Sequence, residues 1–122
     1  MSLNSILIGS EDPQRLVDYY TKAFGEPGWS DGGYTGWQLG AGYLMVGPHD
    51  AVKGQNAEPG RIIWNLETPD VQAEFDRLSA AGATVIREPY NPGDGEGEGG
   101  QMLLCTFADP DGNYFQLGSP MG

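Results

Sequence analysis

Basic residues are scarce in this chain of 122 residues: six lysines and arginines stand against 17 aspartates and glutamates, for a formal net charge of −11. Such a balance repels a polyphosphate backbone and leaves no basic patch to displace its counterions, which argues against nucleic acid and against anionic membranes as partners. The acidity serves either solubility or a field that attracts a cationic small molecule. Cysteine is nearly absent too. Cys105 stands alone, so neither an intramolecular disulfide nor a cysteine cluster for zinc can form, and within the apolar run MLLCTF it reads as a core thiol. A nucleophilic role would need a base, and the single histidine, His49, lies far along the chain in the turn-like GPHD. Long apolar runs are missing: none approaches the roughly 20 residues of a membrane span. The first residues, MSLNSILIGSEDP, have neither the positive charge nor the apolar length of a signal peptide. A soluble, cytoplasmic protein is expected.

What the chain has in plenty is turn chemistry. Its 20 glycines and nine prolines gather at the joints between periodic segments and so read as turns, not disorder. The length suits a single domain, 1–122, with one hydrophobic core. Leu3 to Ile8 reads as a strand, and Ser10, Glu11, Asp12 and Pro13 then open a helix in which Leu16, Val17, Tyr20 and Phe24 share one face until Gly25 stops it. Next, GGYTGWQLG and AGYLMVGP alternate apolar with small or polar residues and predict a hairpin turning at Gly40 to Gly42. A polar loop, His49 to Gly60, follows.

From there the order repeats. RIIWNL, Arg61 to Leu66, predicts a strand; Thr68, Pro69 and Asp70 open a helix with Val71, Phe75 and Leu78 on one face; ATVIREPY is a strand; QMLLCTFA pairs with NYFQLGSP through a turn at Asp109 to Gly112. GYLMVGP and NYFQLGSP match in pattern and in place. The chain is therefore read as a β-α-β-β-β unit used twice, module one about 1–50 and module two about 60–122, an α+β arrangement with its helices on one face of a curled mixed sheet.

In ADPDGNYFQL the order Asp109, Pro110, Gly112 suits a type I turn. Set at the end of a duplicated unit and followed by an alternating aromatic strand, FADPDGNYFQLGSP resembles the C-terminal passage of the vicinal-oxygen-chelate superfamily, the group of glyoxalase I, bleomycin-resistance proteins and extradiol dioxygenases. SEDPQRLVDYYTKAFG is similar to that group's first strand-to-helix passage. The resemblance covers essentially the whole chain. It implies paired modules whose sheets curl into a partly open cup, helices outside and ligand inside, commonly in a homodimer.

In the superfamily's metalloenzymes, histidines and glutamates on equivalent strands hold a divalent metal that chelates substrate oxygens. The resemblance puts those four positions at Ser5, Met45, Ile63 (or Arg61, should the following loop be longer) and Gln116. None is a normal ligand for a hard or borderline cation, so no metal and no other cofactor is expected. Strand alternation combined with the resemblance turns Ser5, Leu7, Tyr43, Met45, Ile63, Asn65, Tyr114 and Gln116 toward the cup, and Ile6, Ile8, Leu44, Val46, Phe115 and Leu117 toward the helices.

Tyr34 and Trp37 are candidates for stacking on a planar or cationic ligand, though the hairpin register leaves the facing of Trp37 undecided. Trp64, out of phase with Ile63 and Asn65, is expected to face the helices. The glycine-acid stretch Asn91 to Gly100 is either a mobile lid or a plain surface loop. Three functions follow. One is a metal-free protein of the bleomycin-resistance type that sequesters a small molecule, an antibiotic or a metabolite, with Gln116 as polar anchor. Another is an enzyme: a lyase, isomerase or dioxygenase whose metal rests on unexpected residues such as His49 and Glu67, or a metal-free catalyst with a cup tyrosine as acid. The last is a dimer with no pocket.

Overall fold

In a computed structural model, residues 1–93 and 102–120 are described. The chain divides into two compact units, Met1–Gln55 and Asn56–Gly122, and the division falls inside the polar loop His49 to Gly60.

The first unit runs β1 (Ser5–Ser10), α1 (Pro13–Phe24), β2 (Trp29–Asp31), β3 (Tyr34–Leu39) and β4 (Gly42–Pro48). Its sheet has the order β1-β4-β3-β2, with β1 parallel to β4 and the other pairs antiparallel. Pro13 occupies the first helical turn, where its missing N–H costs nothing. The Ser10 hydroxyl accepts from the Asp12 amide just ahead of it. Leu16, Tyr20 and Ala23 form the buried stripe of α1. They meet Ile8, Leu44 and Val46, which alternation together with the resemblance places on the helix side and which are buried there.

The second unit repeats the plan with β5 (Trp64–Glu67), α2 (Val71–Ala80), β6 (Thr84–Tyr90), β7 (Leu104–Ala108) and β8 (Tyr114–Gly118), in the order β5-β8-β7-β6. Asp70 caps α2 by accepting from the Ala73 amide at 3.0 Å. The core is an aromatic ladder. Phe75 of α2 stacks on Phe107, Phe107 on Phe115 and Phe115 on Trp64, with ring centroids 5.5, 5.7 and 5.1 Å apart. Neither sheet closes on itself, and each is the expected β-α-β-β-β unit.

The elements differ from the sequence reading in places: the first strand, expected at Leu3 to Ile8, runs Ser5–Ser10. β2, only three residues long, gave no periodic signal. The expected strand from Arg61 begins instead at Trp64, because Pro59–Arg61 form a 3₁₀ turn. The DPDG turn closes as anticipated: the Gly112 amide donates to the Asp109 carbonyl at 2.9 Å. The Asp109 carboxylate also accepts from the amides of Asp111 and Asn113. Residues 94–100 of the Asn91 to Gly100 stretch, and with them the lid reading, lie outside the described residues.

Cys105 is fully buried on the helix side of the second sheet. Burial pushes its thiol above the ordinary range, and a backbone hydrogen bond at Leu117 offsets this only in part. A buried thiol held neutral is a poor nucleophile. A thiol reagent such as Ellman's should therefore leave the native protein unlabelled at neutral pH and label one site once urea unfolds it; rapid labelling of the native state would contradict the placement.

Candidate functional site

Each sheet has one face under its helix and one face turned away from it, and the pairing registers specify what stands on the second face. In the first unit the pairs Leu7–Met45, Met45–Gly36 and Gly36–Trp29 form a row across all four strands. Parallel to it run Ser5–Tyr43–Gln38 on one side and, on the other, the pairs Gly9–Gly47 and Tyr34–Asp31, with the Tyr34 ring against Gly47. The central row is wholly apolar. Leu7 is 50% exposed and Trp29 and Tyr43 40% each, while Met45, Ser5 and Tyr34 are half-buried.

Two glycines explain how aromatic rings lie along this face. A Cβ placed on Gly36 would stand 2.6 Å from the Trp29 indole, so the ring rests directly on the glycine backbone. The Tyr34 ring covers Gly47 in the same way, with its hydroxyl donating to the Pro48 carbonyl at 3.4 Å. Glycine is the one residue that leaves room for a ring to lie against the sheet.

Trp37 does not join this face. It pairs with Leu44, is 2% exposed, meets Tyr20 edge-on at 6.1 Å and donates from Nε1 to the Gly25 carbonyl at 2.9 Å. The two-residue turn between Leu39 and Gly42 fixes the register that turns it toward α1. The indole of this face is that of Trp29. The repeat offered one signal for it: the duplicated order requires a third strand after the first helix, and WSD is the one stretch between Gly25 and Gly33 able to supply it.

The equivalent row of the second unit is Asn65–Gln116–Thr106–Arg87, polar at every position. Gln116 donates from Nε2 to the Thr106 hydroxyl at 3.2 Å, and Asn65 turns back to the Ile63 carbonyl at 3.2 Å. Beside it runs Glu67–Gly118–Leu104–Tyr90, in which Leu104 covers Gly118 as Tyr34 covers Gly47. Tyr114 sits opposite Ala108 on the same face. Trp64, by contrast, is buried against Phe115 under the helix.

The four positions implied for a metal share one diagonal in both units. Ser5 lies opposite Tyr43, two residues before Met45, and Ile63 precedes Asn65, the partner of Gln116, by two. Arg61 drops out, being held in the 3₁₀ turn with its guanidinium on Glu58 at 2.7 Å. A hydroxyl, a thioether, an aliphatic chain and an amide offer neither imidazole nor carboxylate, so this donor set does not fit a divalent cation. His49 lies in the loop after β4, its Nδ1 accepting from the Ala51 amide, and Glu67 is exposed at the end of β5. Among the described residues no three His, Cys, Asp or Glu side chains gather closely enough to hold a metal.

Residues 5–118 match the family described as Glyoxalase-like domain. The chain belongs to that family. As a glyoxalase-like protein it is a member of the vicinal-oxygen-chelate superfamily, and its fold recurs in solved structures. It is similar to a glyoxalase-related enzyme from Fulvimarina pelagi, at 22% identity over 99% of this chain and 92% of that one, with a TM-score of 0.72. A glyoxalase/bleomycin resistance protein/dioxygenase family enzyme from Burkholderia phytofirmans PsJN gives 18% identity over 98% of both chains, TM-score 0.72. TioX from Micromonospora sp. ML1 gives 20% over 98% of both, TM-score 0.69. No protein of curated function matches the sequence. Among the described residues of the glyoxalase-like chain, no helix is long and apolar enough to cross a membrane.

Proposed function

We propose that this glyoxalase-like protein binds a small, flat, largely apolar molecule on an open sheet face and sequesters it, without a metal and without turning it over. The observation that carries the reading is the row Leu7–Met45–Gly36–Trp29, whose exposed indole rests on a glycine with no side chain of its own to compete for the ring's outer surface. Apolar walls with a few polar groups to orient the guest are the usual make-up of a small-molecule site. Gln116, in the place of a metal-binding glutamate on the second unit's sheet, is a neutral hydrogen-bonding group, unsuited to stabilising charge in a metal-bound intermediate.

Two measurements test the proposal together. Elemental analysis of the protein as purified should find no stoichiometric divalent metal, and titration with the uncharged dye N-phenyl-1-naphthylamine should show saturable quenching of tryptophan emission. Trp29 is the exposed indole of the three, since Trp37 and Trp64 are buried, so the quenching should vanish in Trp29→Phe. One full equivalent of tightly held zinc, nickel or iron, or an absence of saturable binding, would overturn the reading.

A further inference from the structure

Arg87 is set apart from the other arginines. Arg15, Arg61 and Arg77 each face a carboxylate, on Asp12, Glu58 and Glu74, whereas among the described residues Arg87 has none and lies instead over the Tyr90 ring, 3.5 Å from its centroid. In a chain of net charge −11, a guanidinium that meets no carboxylate among the described residues and stacks instead on an aromatic face is a conspicuous exception. Stacking uses the flat of the guanidinium and leaves the N–H donors around its edge available.

The backbone is arranged to make this contact. Regular alternation would send residues 87 and 90, three apart, to opposite sides of the sheet. Two register shifts intervene, one between Val85 and Arg87 and one between Arg87 and Tyr90. They set Arg87 opposite Thr106 and Tyr90 opposite Leu104, both on the face turned away from α2. Bulges on edge strands commonly re-aim a side chain in this manner, and here two of them within seven residues bring a cation and its aromatic support to the same side.

The donors of the neighbouring strands extend the arrangement. Thr106, directly beside Arg87, is buried and accepts from Gln116, which fixes the Gln116 amide in place and leaves its second N–H to give. Arg87 and Gln116 stand on either side of Thr106, two strand spacings or roughly 10 Å apart. Glu67, the acidic residue of the adjoining row, lies at its far end from Tyr90, three spacings or roughly 14 Å away. A cationic fork, a hydroxyl and an amide therefore share one ladder, with no carboxylate in the row.

We propose that this face takes the oxyanion of a small organic acid, a carboxylate or sulfonate held by the exposed Arg87, with Gln116, braced by the buried Thr106, on the far side. The proposal rests on the reading of the protein as a small-molecule binder and gives the second unit's sheet a ligand class of its own, an organic anion, against the cationic one that net charge alone suggests.

The test compares two dyes that differ by one sulfonate: 8-anilinonaphthalene-1-sulfonate and the uncharged N-phenyl-1-naphthylamine. The wild-type protein should bind the sulfonate roughly tenfold more tightly or better, the margin expected of a charge-assisted hydrogen-bonded pair. Arg87→Gln should remove that advantage while leaving the uncharged dye unaffected, and Arg87→Lys should restore it in part. Lys53→Gln, the same change of charge in a loop of the first unit, should alter neither affinity, which separates a local site from the overall field. Equal binding of the two dyes, or an Arg87→Gln protein that still prefers the sulfonate, overturns the anion site and leaves the small-molecule reading standing. Binding of neither dye overturns both.

Discussion

Replacing Phe107 by alanine should cost the protein about 3–5 kcal/mol of folding free energy, the range for removing a large buried aromatic side chain. Phe107 is completely buried and stands at the middle of the aromatic ladder, between Phe75 on α2 and Phe115 on β8. It is the sheet ring on which Phe75 of the helix stacks, beside the buried Val71 and Leu78 of the same helix. Truncation removes both stacking contacts and leaves a void that Cys105, Leu117 and the neighbouring rings can fill only by shifting, and tightly packed interiors relax incompletely. Against a typical total of about 5–15 kcal/mol, such a loss takes a large share of the margin. Urea titration followed by far-ultraviolet circular dichroism should show the midpoint falling with little change in slope. A loss under about 1 kcal/mol would mean that the ladder is not what fixes α2 to its sheet.

Much of this core was legible in the chain because one face of each strand is buried, and burial on one face forces period two. Alternation groups Ile8, Leu44, Val46, Phe115 and Leu117 apart from Leu7, Tyr43, Met45 and Gln116, and the resemblance says which group lies under the helices. The DPDG turn was legible for a different reason: aspartate and glycine at those positions have local hydrogen-bonding and backbone preferences that hold in any context.

The candidate site was less legible, and each omission has a physical cause. Trp37 could not be placed because its facing depends on whether the hairpin turn uses two or three residues, and the glycines at 40 and 42 permit either. Trp29 belongs to a strand too short to show a period. Arg87 and Tyr90 escape alternation altogether, since bulges exist where the period breaks. What sequence could supply was a list of residues sharing a face; which of them lie flat on glycine, or stack on one another, depends on contacts between strands.

Gly36→Val should abolish most binding of a flat aromatic ligand to the first sheet while barely altering stability. A Cβ at this position would stand 2.6 Å from Cε2 and Nε1 of Trp29 and 2.7 Å from Cζ2, well inside contact distance, so the indole has to leave the shelf. The strand itself should tolerate the change. Valine suits extended backbone better than glycine does, and the gain of a few tenths to about 1 kcal/mol offsets the packing lost by a ring that is already 40% exposed. For binding there is no such compensation: tryptophan anchors in recognition sites typically contribute 2 kcal/mol or more, which converts to roughly thirtyfold in dissociation constant. Trp29→Ala should cause a loss of the same size, and the double variant should lose no more than either single one, since both remove the same ring. Additive losses would mean that Gly36 acts on binding by some route other than the indole it carries, and unchanged affinity for N-phenyl-1-naphthylamine in Gly36→Val would remove this face from the site.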